Sequence, residues 1–355
     1  MLRKSLSYVA LLVVLTASAR DSGGGGSGGS GSSAPTSSET VTWLAHSLSN
    51  AYHTSATGAV VVGYATAAGS YSAFRWTATG GMQSLGDFGY PYAVSYGVSG
   101  DGSIVVGEAW DASFRQRAFR WTASTGLQDL GTLGGPYATA ANISADGQVI
   151  VGQSWDAAGN QHAFRWTAAG GMQDLGTFGG FTSGAYAASS DGSVVAGSAD
   201  AGGIGGQPRA FRWTAAGGKQ DLGTLGGLEG YAFGVSGDGS VVVGRATDAA
   251  NNRRAFRWTA AGGMQDLGTL GGLTSAAYGV SADGSVVVGE ASDANGVTRA
   301  FRWTASGGMQ NLNNLYAVGS GSFLVTAYGI SGDGQHIVGW GYNVRDAGYE
   351  AWETN

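Results

Sequence analysis

Short apolar strings alternate with glycine-containing polar strings along most of the chain, and the alternation recurs at a fixed interval. The string Ala-Phe-Arg-Trp-Thr places Trp at positions 76, 121, 166, 213, 258 and 303, with spacings of 45, 45, 47, 45 and 45 residues. A weaker copy ends at Trp352. Self-similarity at such a period indicates a repeat architecture, so the fold of one unit predicts the fold of the whole.

Each repeat predicts four strands, named here a to d. In the copy at 277–289, strand a is Tyr-Gly-Val-Ser, an Asp-Gly pair follows, and strand b is Val-Val-Val-Gly. Strand c is Phe-Arg-Trp-Thr and strand d is Gln-Asp-Leu-Gly. Asp-Gly favours a two-residue hairpin turn, and the apolar strand b indicates burial on both faces. Such four-stranded antiparallel units are typical of a β-propeller, whereas the parallel coils of a β-solenoid would not contain tight hairpins.

The strand count predicts how the propeller closes. The sequence holds seven a–b pairs and seven c strands but only six d strands after them, because it ends at Asn355. The segment Thr42-Trp43-Leu44-Ala45 precedes the first strand a and aligns loosely with strand d. We therefore expect an all-β, seven-bladed β-propeller of four-stranded antiparallel blades, closed by an N-terminal strand, which removes exposed strand edges.

The c–d hairpin predicts a repeated ion pair. With 260–263 as the loop, Arg257 of strand c faces Asp266 of strand d. The same register pairs Arg with Asp in three other repeats: Arg120–Asp129, Arg165–Asp174 and Arg212–Asp221. Because most repeats carry the pair, we interpret it as structural and not catalytic. A slip of one residue would abolish the pairing.

Three segments are expected along the chain. Residues 1–19 resemble a signal peptide, with Arg3 and Lys4 before an apolar stretch too short to span a bilayer. Residues 20–38 form a Gly/Ser-rich linker, and residues 39–355 form the propeller. Ser18 stands where a lipoprotein signal requires Cys. We expect a soluble, secreted or periplasmic protein without a lipid anchor or membrane span.

Composition narrows the possible functions. The chain has no Cys, which excludes disulfides, thiolate nucleophiles and Cys-based zinc sites. Its net charge is −6 and it lacks a basic run, so nucleic acid is an unsuitable partner. The four His residues show no metal-ligand spacing. We expect a monomer that needs neither a metal nor another cofactor.

The repeat resembles the extracellular HAF-repeat family. That family is known for a His-Ala-Phe string, found here once as His162-Ala163-Phe164, whereas Arg or Ser replaces His in the other copies. The continuation Arg-Trp-Thr and Gly-Gly-Met-Gln-Asp-Leu-Gly-Thr-Leu-Gly-Gly matches closely over residues 40–355. The resemblance implies an exported bacterial repeat protein. It implies no defined activity.

Function is expected on one rim of the propeller. The a–b and c–d hairpins lie on one rim, here the turn rim, and are uniform. The b–c loops and d–a crossovers lie on the other, here the variable-loop rim, and variable loops on a rigid scaffold are where binding residues concentrate. Aromatic rings beside carboxylates suit a glycan. The candidate ligand-binding residues are Tyr90, Tyr92, Trp110, Asp111, Tyr137, Trp155, Asp156 and Phe181.

Two functions fit these residues. The first is a noncatalytic binding or adhesion scaffold for a glycan or a surface protein, without catalytic residues. The alternative is a polysaccharide-degrading enzyme that uses Asp111 or Asp156. Against both stands the possibility that the rings only pack between repeats. A third hypothesis is a purely structural surface component, which would show an even, uncharged rim with no pocket. The loop aspartates lack the dense spacing of a calcium loop.

Overall fold

The computed structural model describes residues 40–44, 48–67, 69–202 and 206–354. The predicted signal peptide (residues 1–19, including Ser18) and the predicted linker (residues 20–38) lie outside the described residues. The first nine strands are β1 (Val41–Trp43), β2 (Ser49–Thr54), β3 (Val61–Ala67), β4 (Ser70–Thr77), β5 (Gly81–Ser84), β6 (Gly89–Val98), β7 (Ile104–Asp111), β8 (Gln116–Thr122) and β9 (Gly126–Asp129).

The next eight strands continue the same a–b–c–d order. They are β10 (Gly134–Ile143), β11 (Ile150–Asp156), β12 (Gln161–Thr167), β13 (Gly171–Asp174), β14 (Gly179–Ala188), β15 (Val194–Ala201), β16 (Gln207–Thr214) and β17 (Gly218–Asp221).

The remaining strands complete the chain, with one short helix among them. They are β18 (Gly226–Val235), β19 (Val241–Asp248), β20 (Arg253–Thr259), β21 (Gly263–Asp266), β22 (Gly271–Val280), β23 (Val286–Asp293), β24 (Thr298–Thr304), β25 (Gly308–Asn311), helix α1 (Leu312–Leu315), β26 (Phe323–Ile330), β27 (Ile337–Asn343) and β28 (Gly348–Thr354).

Repeats 1 to 6 each fold into four antiparallel strands, and the three strands of repeat 7 form a four-stranded sheet with β1. Repeats 1 to 6 comprise β2–β5, β6–β9, β10–β13, β14–β17, β18–β21 and β22–β25, and repeat 7 comprises β26–β28. β1 pairs antiparallel with β28, which places Trp43 opposite Trp352. Single parallel bridges, Tyr71 to Tyr92 and Gln161 to Thr182, join repeat 1 to 2 and repeat 3 to 4 into eight-stranded sheets.

The glycine that ends each Val-Val-Val-Gly string is required by close strand approach. A Cβ atom on Gly244 of β19 would lie 1.9 Å from the carbonyl oxygen of Tyr231. The corresponding distance is 2.0 Å at Gly107, Gly152, Gly197 and Gly289. Any side chain at this position would force strands a and b apart, so the glycine is a packing requirement.

The hydrophobic core lies between neighbouring repeats. Phe119 of strand c in repeat 2 is fully buried and clusters with Val62 and Ala73 of repeat 1. In the same way, Phe74 of repeat 1 clusters with Val338 and Ala351 of repeat 7. A single repeat therefore cannot bury its own apolar faces, as expected of repeat architectures.

The a–b turn differs from the two-residue hairpin that the Asp-Gly pair predicts. In repeat 2, Ser99 N donates to Ile104 O at 2.9 Å, which closes a four-residue loop. Only Gly102, at φ +72°, takes a positive φ in this turn. The Asp101 carboxylate accepts from the Ser99 hydroxyl at 2.6 Å and from Ser103 N at 3.0 Å. Asp therefore caps the loop through its side chain.

The predicted Arg–Asp register is wrong by one residue. Thr259 lies opposite Gly263, Arg257 opposite Gln265, and Phe256 opposite Asp266. The loop has three residues because Gly263 takes a φ of +64°, which closes the hairpin one position earlier than we predicted. Strand pairing has a period of two, so this slip separates Arg257 from Asp266.

Both members of the predicted pair have other partners. Asp266 accepts from Arg254 Nε at 3.0 Å, a diagonal neighbour on the same face of the hairpin. In repeat 3, His162 takes the place of that Arg and lies 2.7 Å from Asp174. Four strand-c arginines instead reach the next repeat, where they donate to a turn carbonyl: Arg75 to Gly102, Arg165 to Gly192, Arg212 to Gly239 and Arg257 to Gly284. Arg120 donates to Gln128 within its own hairpin.

Removing one of these inter-repeat hydrogen bonds should destabilise the fold measurably. Arg212 Nε lies 3.1 Å from the Gly239 carbonyl oxygen. We expect Arg212→Ala to lower the free energy of unfolding by about 1 kcal/mol, as measured by urea denaturation. Arg253→Ala, at an exposed arginine of β20, is the matched control and should change it by less than about 0.5 kcal/mol. Equal effects would contradict the assigned role.

Within the described residues, no helix has the length and apolar character needed to cross a bilayer.

Candidate functional site

The predicted aromatic residues of repeat 2 come together on the variable-loop rim. The Tyr92 and Trp110 rings lie opposite each other near the ends of β6 and β7, with centroids 5.4 Å apart. Tyr90 lies 5.9 Å from Trp110. All three side chains are half-buried, so they keep accessible ring surface and do not pack wholly between repeats.

Four further rings extend this group in both directions. Towards the centre, Tyr92 lies 5.1 Å from Tyr71, Tyr71 lies 5.2 Å from Tyr64, and Tyr64 lies 6.0 Å from Tyr52. Towards the loop, Tyr90 lies 4.9 Å from Phe114. We call this unbroken series the aromatic ladder: Tyr52, Tyr64, Tyr71, Tyr92, Trp110, Tyr90 and Phe114.

Backbone pairing explains how the ladder crosses from repeat 1 to repeat 2. Tyr71 of β4 and Tyr92 of β6 form the single parallel bridge between the two repeats. Sequence reasoning missed Tyr52, Tyr64 and Tyr71, which lie on three adjacent strands of repeat 1. Only the Tyr71–Tyr92 contact joins them to repeat 2. Tyr71 and Phe114 are the most open rungs, 41% and 59% exposed.

Phe114 occupies a backbone conformation that favours glycine. Its φ is +59°, at the tip of the b–c loop. The equivalent positions in repeats 3, 5 and 6, three residues after the loop aspartate, carry Gly159, Asn251 and Gly296. A bulky residue with positive φ is strained, and such strain is often retained where function requires the side chain. Aligning the loops would have revealed this position from sequence.

Trp110 combines a stacking surface with an unused donor. Its indole N–H is buried and finds no acceptor within the described part of the chain. Leaving such a donor unpaired costs free energy.

The two predicted carboxylates hold their own loops. Asp111 accepts from the backbone N–H groups of Arg115 at 3.0 Å and Ser113 at 2.9 Å, and from Arg117 Nε at 3.1 Å. Hydrogen bonding from Arg115 N lowers the pKa of Asp111. Asp156 accepts from Asn160 N at 2.8 Å, which likewise lowers its pKa.

The same loop caps recur where no aromatic residues accompany them. Asp248 accepts from Asn252 N at 2.8 Å, and Asp293 accepts from Val297 N at 3.0 Å. Both residues begin b–c loops of repeats without a ladder. The recurrence indicates a structural role for this aspartate position.

The other predicted residues lie apart from the ladder. Tyr137 and Trp155 of repeat 3 form an edge-to-face pair with centroids 5.5 Å apart. Phe181 of repeat 4 is 49% exposed and shows no ring contact among the described residues. The six predicted aromatic residues therefore form a group of three in repeat 2, a separate pair in repeat 3, and an isolated ring in repeat 4. The two predicted aspartates lie at the b–c loops of repeats 2 and 3.

A central cavity opens elsewhere, towards the turn rim. It encloses about 160 Å³ and is lined by residues of all seven a strands, including His53 and Asn142. Burial lowers the pKa of His53 to about 4, so its imidazole is neutral at physiological pH. None of the predicted site residues lines this cavity.

Among residues 40–44, 48–67, 69–202 and 206–354, no group of three His, Asp or Glu side chains is arranged to hold an ion.

Comparison with solved structures establishes the fold. The β-propeller domain of the trilobed protease from Pyrococcus furiosus matches at a TM-score of 0.59 and 9% identity, over 86% of this chain and 95% of that one. Oligogalacturonate lyase from Vibrio parahaemolyticus matches at 0.59 and 10% identity, over 91% and 95%. A lectin from Burkholderia pseudomallei matches at 0.53 and 11% identity, over 88% and 96%. The fold of this chain is a β-propeller.

Sequence comparison adds no family assignment. No protein-family model matches the chain, and no curated protein matches it. At identities near 10%, the structural similarities establish the fold alone.

Proposed function

We propose that this protein is an exported, noncatalytic β-propeller that binds glycans through the aromatic ladder. The unbroken series of ring contacts from Tyr52 to Phe114 carries the proposal. Sugar rings stack their C–H faces on aromatic side chains, and Tyr and Trp add hydrogen-bonding groups at the ring edge. The partly exposed rings lie on the rim where loops vary between repeats.

The proposal includes a closed ring of seven blades. Tyr52 of the first strand a lies 5.2 Å from Tyr328 of the last. Trp43 lies opposite Trp352, so β1 supplies the fourth strand of repeat 7. Gly329 of β26 packs against β2, where a Cβ atom on it would lie 2.9 Å from the Tyr52 carbonyl oxygen. These contacts support a latch formed by the two ends of the chain, which would hold the rim rigid for binding.

Binding is favoured over polysaccharide cleavage by the state of the loop carboxylates. A general acid or base needs a carboxyl group free to meet the substrate. Asp111 and Asp156 are both occupied by amides of their own loops. The similarity to a lectin and to a lyase concerns the fold and is compatible with either function.

A glycan array and affinity electrophoresis with the recombinant chain would test the proposed function. We expect retention by at least one polysaccharide, without release of reducing ends during prolonged incubation. If the wild type releases reducing ends and Asp111→Ala or Asp156→Ala does not, the result would favour a polysaccharide-degrading enzyme instead. Absence of binding in both assays would contradict the proposal.

Export and the HAF-repeat relationship are parts of the same proposal. The predicted signal peptide should be removed after Ala19, and the mature protein should carry no lipid at Ser18. Mass spectrometry of the protein from a secreting host would check both statements. A retained leader or an acylated N-terminus would contradict them.

Replacing the strained rung should separate stability from binding. Phe114→Gly relieves the positive φ, so we expect the free energy of unfolding to rise by about 1 kcal/mol. Binding should weaken about fivefold, because one exposed stacking surface is lost. Asn251→Gly, at the equivalent tip of repeat 5, is the matched control and should leave binding unchanged. Unchanged binding in Phe114→Gly would remove this rung from the site.

A further inference from the structure

One cross-strand pair at the outer ends of strands a and b differs systematically between repeats. In repeats 7, 2 and 3, both members are aromatic and in contact. The centroid distances are 5.4 Å for Phe323–Tyr342, 5.4 Å for Tyr92–Trp110 and 5.5 Å for Tyr137–Trp155. An equivalent stacking surface is thus presented by several units of the rim.

Repeats 4, 5 and 6 place polar residues at the same positions, and the fold itself uses them. The Thr182 hydroxyl donates to Asp200. The Thr247 hydroxyl oxygen accepts from Glu229 N at 3.0 Å, and that of Ser292 accepts from Thr274 N at 2.9 Å. These groups brace strand a against strand b and offer no ring surface.

The aromatic repeats are neighbours. β2 of repeat 1 packs against β26, β27 and β28 of repeat 7. In repeat 7, Tyr349 lies 4.7 Å from Trp340 and 5.5 Å from Tyr342. Repeat 1 contributes Tyr64 and Tyr71 of the ladder between the two sides. Aromatic surface therefore covers repeats 7, 1, 2 and 3 in succession, and we call this surface the aromatic arc.

We infer that the aromatic arc binds an internal stretch of a linear polysaccharide, with at least one stacking platform per repeat. This inference rests on the proposed glycan binding and extends it. A terminal sugar would use one platform, whereas successive platforms on contiguous repeats fit an extended chain. Pyranoses with equatorial substituents expose flat C–H faces, so chains of such sugars are the ligand class that the platforms fit.

The polar residues of repeats 4 to 6 limit where the bound polysaccharide can lie on the rim. Repeats 4 to 6 offer no ring at the equivalent positions, so the polymer should leave the arc after repeat 3 at one end and after repeat 7 at the other. Affinity should then increase with oligosaccharide length until the arc is covered and remain constant beyond that length.

Isothermal titration calorimetry with a length series would test this. The probes are soluble cello-, xylo- and chito-oligosaccharides from disaccharide to octasaccharide. We expect the dissociation constant to fall at least about tenfold across the series. Trp155→Ala and Tyr342→Ala should each weaken octasaccharide binding by about tenfold and disaccharide binding by less than about twofold. Thr274→Ala, at the same structural position in repeat 6, is the control and should match the wild type.

The outcomes distinguish this inference from the proposed function. Binding that is independent of length, lost in Trp110→Ala and unaffected in Trp155→Ala and Tyr342→Ala, would overturn the arc and leave the ladder as a single-sugar site. Absence of binding by every saccharide in the series and on the array would overturn both. Circular dichroism melting curves that coincide with the wild type would exclude misfolding as the reason for any loss.

Discussion

Trp110→Ala is expected to weaken glycan binding by about thirtyfold or more, equivalent to about 2 kcal/mol. Trp110 is the rung that contacts both Tyr92 and Tyr90, at 5.4 Å and 5.9 Å, so its removal interrupts the ladder between repeat 1 and the loop tip. The change also removes the one indole donor of the ladder, which has no acceptor in the described structure. Calorimetry with the best ligand from the array would measure the loss.

A second substitution separates the two contributions of Trp110. Trp110→Phe keeps a ring face but lacks the N–H donor, so it should retain most of the affinity if stacking dominates. Leu273→Ala, at a 68% exposed residue of the same rim in repeat 6, is the control and should bind like the wild type. A Trp110→Ala protein that is folded and binds normally would show that the ligand site lies elsewhere.

The repeat unit determines most of the fold from sequence alone. Val-Val-Val-Gly predicts a strand buried on both faces, and β19 and β23 have that burial. The recurring Phe of strand c lies at the inter-repeat core in every repeat where it occurs: Phe74, Phe119, Phe164, Phe211, Phe256 and Phe301. These predictions succeed because burial follows from the hydrophobic pattern, which does not depend on turn geometry.

Hairpin register could not be obtained in the same way. A loop of three or four residues is equally consistent with Thr259-Ala-Ala-Gly-Gly-Met264, and the choice depends on which glycine takes the positive φ. The difference of one residue moved every predicted Arg–Asp partner. Four strand-c arginines instead donate to carbonyls 27 residues further along the chain, and only the packing of repeats brings these groups close.

The sequence predicted those residues of the candidate site that differ from the residues at the same positions in other repeats. Tyr90 is visible because repeats 3 to 6 carry Gly there, and Tyr92 and Trp110 are visible because repeats 4 to 6 carry Thr, Glu, Asp or Ser at those two positions. Asp111 and Asp156 do not depart in this way, since Asp248 and Asp293 occupy the same position. We predicted both as candidate ligand-binding residues, although their recurrence favours a structural role. Tyr71 depends on a bridge between two repeats and has no signal within one. In a repeat protein, the irregular positions are therefore the more informative ones.

Stability should fall as pH rises from about 5 to about 7, because of a buried carboxyl group in β28 next to β1. Glu353 of β28 is 4% exposed and lies opposite Thr42 of β1. Burial raises its pKa to about 7. The folded state thus binds a proton that the unfolded state releases at lower pH, so the stabilising effect is complete in acid and is lost as pH approaches 7. We expect the free energy of unfolding to decrease by roughly 2–3 kcal/mol from about pH 5 to about pH 8.

Glu353→Gln should remove this dependence, because the amide is neutral at every pH and keeps the shape of the protonated acid. The variant should be more stable than the wild type at pH 8 and similar to it at pH 5, as measured by urea denaturation. Glu229→Gln, on the variable-loop rim, is the matched control and should parallel the wild type. The nearest titratable group, His336, has its Nδ1 3.7 Å from Glu353 Oε1 and becomes a cationic partner only when protonated. The variant His336→Gln therefore distinguishes the imidazole from the carboxyl group. If His336→Gln removes the pH dependence of the free energy of unfolding and Glu353→Gln does not, the imidazole and not the buried carboxyl group causes that dependence.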